Sequence, residues 1–94
     1  MRIETLKLFC DVARRRSFSK AAEVNGISQS AVSQIIARLE QQLRVQLIDR
    51  ASRPLKLRPA GKVFYTGCRK LLKDFRELKQ SLAAHVNRNA NRAT

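Results

Sequence analysis

The chain has few of the residues from which metal centres and catalytic sites are built. Its 94 residues include one histidine, two cysteines, no tryptophan and only seven acidic side chains. The histidine, His85, continues an apolar heptad near the end of the chain, and the sequence shows no acid–base pair around it. We therefore expect no enzyme activity, no metal ion and no cofactor.

Long apolar runs and cysteine motifs are also missing. No stretch approaches the roughly 20 apolar residues that span a bilayer, and the basic start lacks the apolar segment of a signal peptide. Cys10 and Cys68 are too far apart for a metal-binding knuckle, and both fall at apolar positions of a helical pattern, where a reduced thiol packs as a small hydrophobic group. We expect a cytoplasmic protein without a membrane partner.

Positive charge, in contrast, is abundant. Twenty Lys and Arg residues against seven acids give a net charge of +13, which indicates a polyanionic partner such as nucleic acid. Single-strand and RNA readers need exposed stacking rings, but the four Phe residues and Tyr65 mostly fall on or beside apolar faces. Double-stranded DNA is favoured, with a non-specific architectural DNA-binding protein or an RNA-binding protein as the alternative.

Apolar spacing predicts three helices in the first half of the chain. The first covers about 3–13, the second is short, starts after Ser17 or Ser19 and ends at Asn25-Gly26, and the third runs from about Gln29 to Leu43. A short helix, a tight turn containing glycine and a longer helix are typical of a helix-turn-helix, whose second helix enters the major groove. Core positions around this turn are predicted at Ala22, Ile27 and Val32.

The segment after the third helix alternates in polarity. Val45 and Leu47 precede a basic, proline-containing loop at 50–54, and Leu55 and Leu57 follow it, which predicts a small two-stranded wing. The expected fold is mainly α, a winged helix-turn-helix formed by residues 1–58.

A fourth helix is predicted from Pro59. Its apolar seam steps by four and three residues through Phe64, Cys68, Leu71, Phe75, Leu78 and Leu82. A lone projecting helix cannot cover such a stripe, so we expect residues 59–94 to be a linker helix that forms a homodimer, with a frayed tail from Val86. The alternative is that the stripe folds back on its own domain, as expected for the first turns around Val63 and Phe64.

Several motifs in this order are similar to one known family. After the run Leu6–Ala13 come the blocks SFSKAA (17–22), ISQSAVS (27–33), LE (39–40), LIDR (47–50) and LRPAG (57–61). The set resembles the N-terminal domain of LysR-type transcriptional regulators. The resemblance implies a winged helix-turn-helix, a linker helix that pairs two subunits, a possible tetramer of the full-length protein, and a separate C-terminal domain, absent here, through which alone a small-molecule effector would act.

Three positions depart from that family pattern. Ser30, Arg44 and Arg58 stand where the family usually has Pro, Gly and Thr. Loss of the Gly strains the end of the third helix, because a left-handed cap is costly for a residue with a side chain. Loss of the Thr removes a cap of the fourth helix.

The outward polar residues on the first half of helix 29–43 are the expected base readers: Gln29, Ser30, Ser33 and Gln34. Gln29 is the strongest candidate because its amide both donates and accepts, which suits an adenine edge, and the resemblance implies contacts at Gln29 and Ser33. The DNA backbone and the wing contacts are assigned to Ser19, Lys20, Ser28, Arg38, Arg50 and Arg53. A two-fold dimer would face inverted half-sites, so we expect an imperfect palindrome as the target.

Overall fold

The computed structural model describes residues 1–92, and for 87–92 only the backbone. Its elements are α1 (Ile3–Arg15), α2 (Phe18–Asn25), α3 (Gln29–Leu43), β1 (Ile48–Asp49), β2 (Lys56–Leu57) and α4 (Pro59–Arg92). The two short strands pair antiparallel, with Ile48 opposite Leu57. The predicted winged helix-turn-helix followed by a long helix is confirmed.

Serine side chains set the starts of the two helices of the helix-turn-helix. Ser17 Oγ accepts a hydrogen bond from the backbone N–H of Lys20, and Ser28 Oγ accepts one from that of Ala31, each at 3.1 Å. Ser17 is therefore the cap of α2, and Ser19 lies inside the helix. Gly26 ends α2 with φ of 67°, a left-handed conformation that a residue without a Cβ adopts at little cost.

The end of α3 is left-handed as well, but there the residue is Arg44, with φ of 56°. Because side-chain residues are disfavoured in this region, Arg44→Gly is expected to raise the free energy of unfolding by about 0.5–1 kcal/mol. The control is Arg38→Gly in the middle of α3, where the same exchange is expected to cost about 1 kcal/mol. Urea unfolding measures both, and a loss of stability in both variants would contradict the strain at Arg44.

A single hydrophobic core lies between α1, α2, α3, the wing and the first half of α4. Its centre consists of fully buried side chains, among them Phe9, Val12, Val32, Ile36, Leu39 and Leu47. Ala22 and Val32 are buried as predicted, but Ile27 is 39% exposed. The prediction for Ile27 was wrong because its position in the turn after Gly26 leaves its side chain at the surface.

The first half of α4 packs along α1. The Phe64 ring meets Phe9 edge-on with centroids 5.1 Å apart, and Cys68 and Leu72 are 1% and 7% exposed. Phe64 and Cys68 therefore pack within their own domain, which corrects their assignment to a dimer seam. Val63, expected to fold back, is instead 77% exposed.

Two boundaries also differ from expectation. The backbone of α4 stays helical through Arg92, beyond the point at which the apolar period ends; the frayed tail from Val86 stays a prediction, and the last two residues lie outside the described part. The core also continues across the predicted division between 58 and 59, because Cys68 and Leu72 belong to it. The functional division into 1–58 and 59–94 stays a prediction.

The two cysteines meet between α1 and α4. Their side chains are close enough that each thiol affects the pKa of the other. Burial, together with the neighbouring Cys10 thiol, raises the pKa of Cys68 to about 11, and burial also raises the pKa of Cys10. Both are neutral thiols near pH 7, in agreement with a packing role.

Within residues 1–92, no helix combines the length and apolar character needed to cross a bilayer.

Candidate nucleic-acid interface

The candidate interface is a cleft between the starts of α2 and α3 and the wing. It has a volume of about 280 Å³, and its walls include Arg16, Ser19, Gln29, Ser33 and Arg53. None of the described residues that line this cleft is acidic. It is therefore a positively charged surface of the kind that attracts phosphate.

The helix-turn-helix geometry brings two of the predicted base readers into this cleft. Gln29 and Ser33 are four residues apart, so they lie on one face of α3, and both line the cleft. Gln29, Ser30 and Gln34 are exposed and Ser33 is half-buried. Ser30 and Gln34 lie on the adjoining exposed surface of α3, outside the cleft.

The starts of α2 and α3 provide partial positive charge. Both helices lie wholly within the described residues, and neither has an acidic residue in its first turn, so their dipoles are not neutralised locally. Ser28 Oγ caps α3 and lies 3.3 Å from Ser30 Oγ, while Ser19 Oγ lies 3.1 Å from Ser17 Oγ. These hydroxyl groups and the free helical N–H groups are suited to an anion.

The wing holds its own shape by hydrogen bonds. Asp49 accepts from the backbone N–H of Ala51 and from the Ser52 hydroxyl, both at 3.1 Å, and these bonds lower the pKa of Asp49. Arg53 donates through Nη1 to the Arg50 carbonyl at 2.6 Å, and its side chain is otherwise exposed. The charge of Arg53 is thus presented at the tip of a fixed turn.

Arg50, next to Arg53 in the wing, has partners within the protein that the sequence did not predict. Its Nη1 donates to Ser33 Oγ at 2.6 Å, its Nη2 lies 3.3 Å from Glu40 Oε1, and its guanidinium stacks over the Phe18 ring at 4.9 Å. The side chain turns inward from the wing to α3 because a carboxylate and a hydroxyl are available there. Arg50 nevertheless lines the cleft and its side chain is 38% exposed, so its contact with the DNA backbone stays a prediction.

Two residues with a role in this arrangement were missed from sequence. Glu40 accepts from the backbone N–H of Leu47 at 2.8 Å and of Ile48 at 3.4 Å, and so joins α3 to the wing. Arg16, at the end of α1, lines the cleft. Its place directly before the Ser17 cap was the available signal.

Lys20 and Arg38 are exposed as predicted but do not line the cleft.

A helix-turn-helix whose second helix is presented beside a basic wing defines a winged-helix DNA-binding domain. Residues 3–62 match the family described as "Bacterial regulatory helix-turn-helix protein, lysR family". The chain belongs to this LysR family of bacterial regulators.

Individual relatives agree with this assignment. The chain is 34% identical over 86 residues to the HTH-type transcriptional activator AaeR of Escherichia coli K12, and 42% identical over 72 residues to the HTH-type transcriptional regulator BenM of Acinetobacter baylyi. These matches cover 92% and 77% of this chain but only 28% and 24% of the relatives.

Solved structures match over most of the chain. The structure of the BenM_DBD/benA site 1 DNA complex superimposes with a TM-score of 0.87 at 36% identity, covering 89% of this chain and 94% of that one. The DNA complex of Vibrio fischeri DarR gives a TM-score of 0.84 at 31% identity, covering 89% of this chain and 29% of that one.

Proposed function

We propose that this chain binds double-stranded DNA sequence-specifically, as the DNA-binding part of a transcriptional regulator. The observation that carries the proposal is the cleft between the starts of α2 and α3 and the wing. Gln29 and Ser33 line it together with Arg16 and Arg53, and none of the described residues that line it is acidic. In this arrangement α3 enters the major groove, and the wing reaches the backbone or the minor groove. That BenM_DBD was crystallised with DNA supports it.

Each group has a distinct task in the proposed complex. Gln29 reads a base edge, with Ser33, Ser30 and Gln34 beside it, because amide and hydroxyl groups match major-groove donors and acceptors. Phosphates are held by charge and by helix starts, which fix the register without reading sequence. The residues proposed for this are Arg16, Ser19, Lys20, Ser28, Arg38 and Arg53.

The protein is further proposed to act as a homodimer on an imperfect palindrome. On α4 the side chains of Leu71, Leu78 and Leu82 are more than half exposed, and Phe75 is half-buried. This apolar seam needs a cover, and a second α4 provides one. We also propose that the protein is a cytoplasmic regulator without catalytic activity or a cofactor, as fits the family. Formation of a tetramer and binding of a small-molecule effector are proposed only for the full-length protein.

The test is binding to an AT-rich imperfect palindrome and to a scrambled duplex, over a series of salt concentrations. We expect the palindrome to be preferred at least about tenfold, and Gln29→Ala to remove most of this preference while it leaves binding to the scrambled duplex nearly unchanged. Gln42→Ala, an equal exchange at the exposed far end of α3, is the control and should keep the preference.

Equal binding of both duplexes at every salt concentration, across several candidate palindromes, would favour the architectural alternative instead. In that case charge alone would account for the affinity, and Gln29 would lose its role.

A further inference from the structure

We propose that Arg50 fixes the Ser33 hydroxyl as a hydrogen-bond donor, so that Ser33 discriminates against cytosine on the strand that it faces. The inference rests on the proposed sequence-specific binding and deepens it. It assigns Arg50 as a positioning residue, and Ser33 as a reader of acceptor atoms.

The first step is the geometry at Ser33. Arg50 Nη1 donates to Ser33 Oγ at 2.6 Å, and Nη2 lies 3.4 Å from the Ser33 carbonyl oxygen. A serine hydroxyl has one proton and two lone pairs. With an arginine N–H on one lone pair of the oxygen, the proton of Ser33 is turned away from Arg50, and the cationic donor polarises the hydroxyl so that it donates more strongly and accepts more weakly. Within the described residues, the Ser33 hydroxyl donates to no protein group, so its proton remains for a ligand.

The second step is the support behind Arg50. The guanidinium lies over the Phe18 ring at 4.9 Å and 3.3 Å from Glu40 Oε1. Glu40, whose side chain is 13% exposed, is itself held by the backbone N–H groups of Leu47 and Ile48. Arg50 is thus fixed by α2, α3 and the wing at once. Its orientation toward Ser33 is set before DNA arrives, and a planar forked cation is suited to such fixing.

The third step is the chemistry of the major groove. Guanine presents the acceptors N7 and O6, thymine presents O4, and adenine presents N7 beside its N6 amino donor, whereas cytosine presents only its N4 amino donor. A free serine tolerates both kinds of edge because its hydroxyl can rotate. A serine that already accepts from a cationic arginine has one lone pair left, and the positive charge beside it makes that lone pair a poor acceptor for the cytosine amino group. One position in each half-site should therefore disfavour cytosine.

The test is selection of binding sites from a randomised duplex library, followed by affinity measurements on the selected site and on its single-position cytosine variant. For the natural sequence we expect one position at which cytosine weakens binding about threefold or more. Ser33→Ala should abolish that penalty and leave the preferences at the other positions intact. Arg53→Gln, the control on the wing, should lower affinity for all sites alike.

Variants of Arg50 separate positioning from general support of the fold. Arg50→Met removes the donor and should admit cytosine at that one position, whereas Arg50→Lys, which can still donate to Ser33 Oγ, should keep the penalty. Arg50→Gln, too short to reach both partners, is a second removal in case the methionine variant does not fold, and circular dichroism identifies the folded variants.

The outcomes are distinct. A cytosine penalty that persists in Ser33→Ala, or Arg50 variants that alter all positions equally, would overturn this inference while leaving the proposed function intact. A natural sequence that selects no site at all would overturn both.

Discussion

Gly61→Ala is expected to lower the free energy of unfolding by about 3 kcal/mol, a large effect for one methyl group. A Cβ at Gly61 would run into the backbone carbonyl oxygen of Leu47, with the carbonyl carbon only 2.9 Å away. That carbonyl also accepts the backbone N–H of Arg58 at 2.8 Å. Because the obstacle is backbone, no side-chain rotation relieves the overlap, and α4 must move away from the wing.

Gly67 offers the matched control. It lies two turns further along α4, and a Cβ there would meet nothing within 4 Å. Gly67→Ala is therefore expected to stabilise the helix by about 0.5–1 kcal/mol. Urea unfolding followed by circular dichroism measures both variants. Small changes of the same sign in both would show that α4 does not press against the wing at Gly61.

The local elements could be predicted from sequence because their signals are local. The α3 helix begins after Ser28 and ends at Leu43 as expected, since a capping hydroxyl and a 3.6-residue apolar period both act within a few residues. The same holds for Pro59 at the start of α4. The exposed polar residues of α3 that are proposed as base readers follow from the same periodicity, because burial of one face of a helix leaves the opposite face exposed.

The side of α4 that faces its own domain could not be predicted in this way. A step of four and three residues places Phe64 and Cys68 on the same stripe as Leu78 and Leu82, but the first pair covers α1 and the second pair is exposed. Leu72 is buried although it lies off that stripe. The path of α1 across α4 decides which of these side chains are buried. Because α1 and α4 are far apart in the chain, their contact leaves no periodic signal in the sequence.

The partner of Arg50 is a similar case. Arg50 was predicted to bind phosphate because it is a cation in a loop next to Arg53. Its contacts, Ser33 and Glu40, are 17 and 10 residues away in the chain, so only the packed fold shows them. The place of Ser33 beside Gln29 on one face of α3 was predictable, but the hydrogen bond that it accepts from Arg50 was not.

The largest expected effect on DNA binding comes from the seam of α4. Leu78 is 58% exposed, and we expect Leu78→Glu to convert the proposed dimer to a monomer, because a carboxylate buried in an apolar helix pair would lose its hydration. Sedimentation at micromolar concentration measures the mass. Gln80→Glu adds the same charge on the opposite, exposed face of α4 and should leave the dimer intact.

DNA binding should follow the change in mass. Two linked domains on two half-sites bind more tightly than one, because the second contact is intramolecular, so Leu78→Glu is expected to weaken binding to the palindrome by about 100-fold or more. Binding to a single half-site should hardly change, since the cleft between α2, α3 and the wing is untouched. If Leu78→Glu sediments as a dimer, another surface pairs the subunits. If it is monomeric but binds the palindrome as tightly as Gln80→Glu, each domain acts independently and the inverted half-sites have no structural basis.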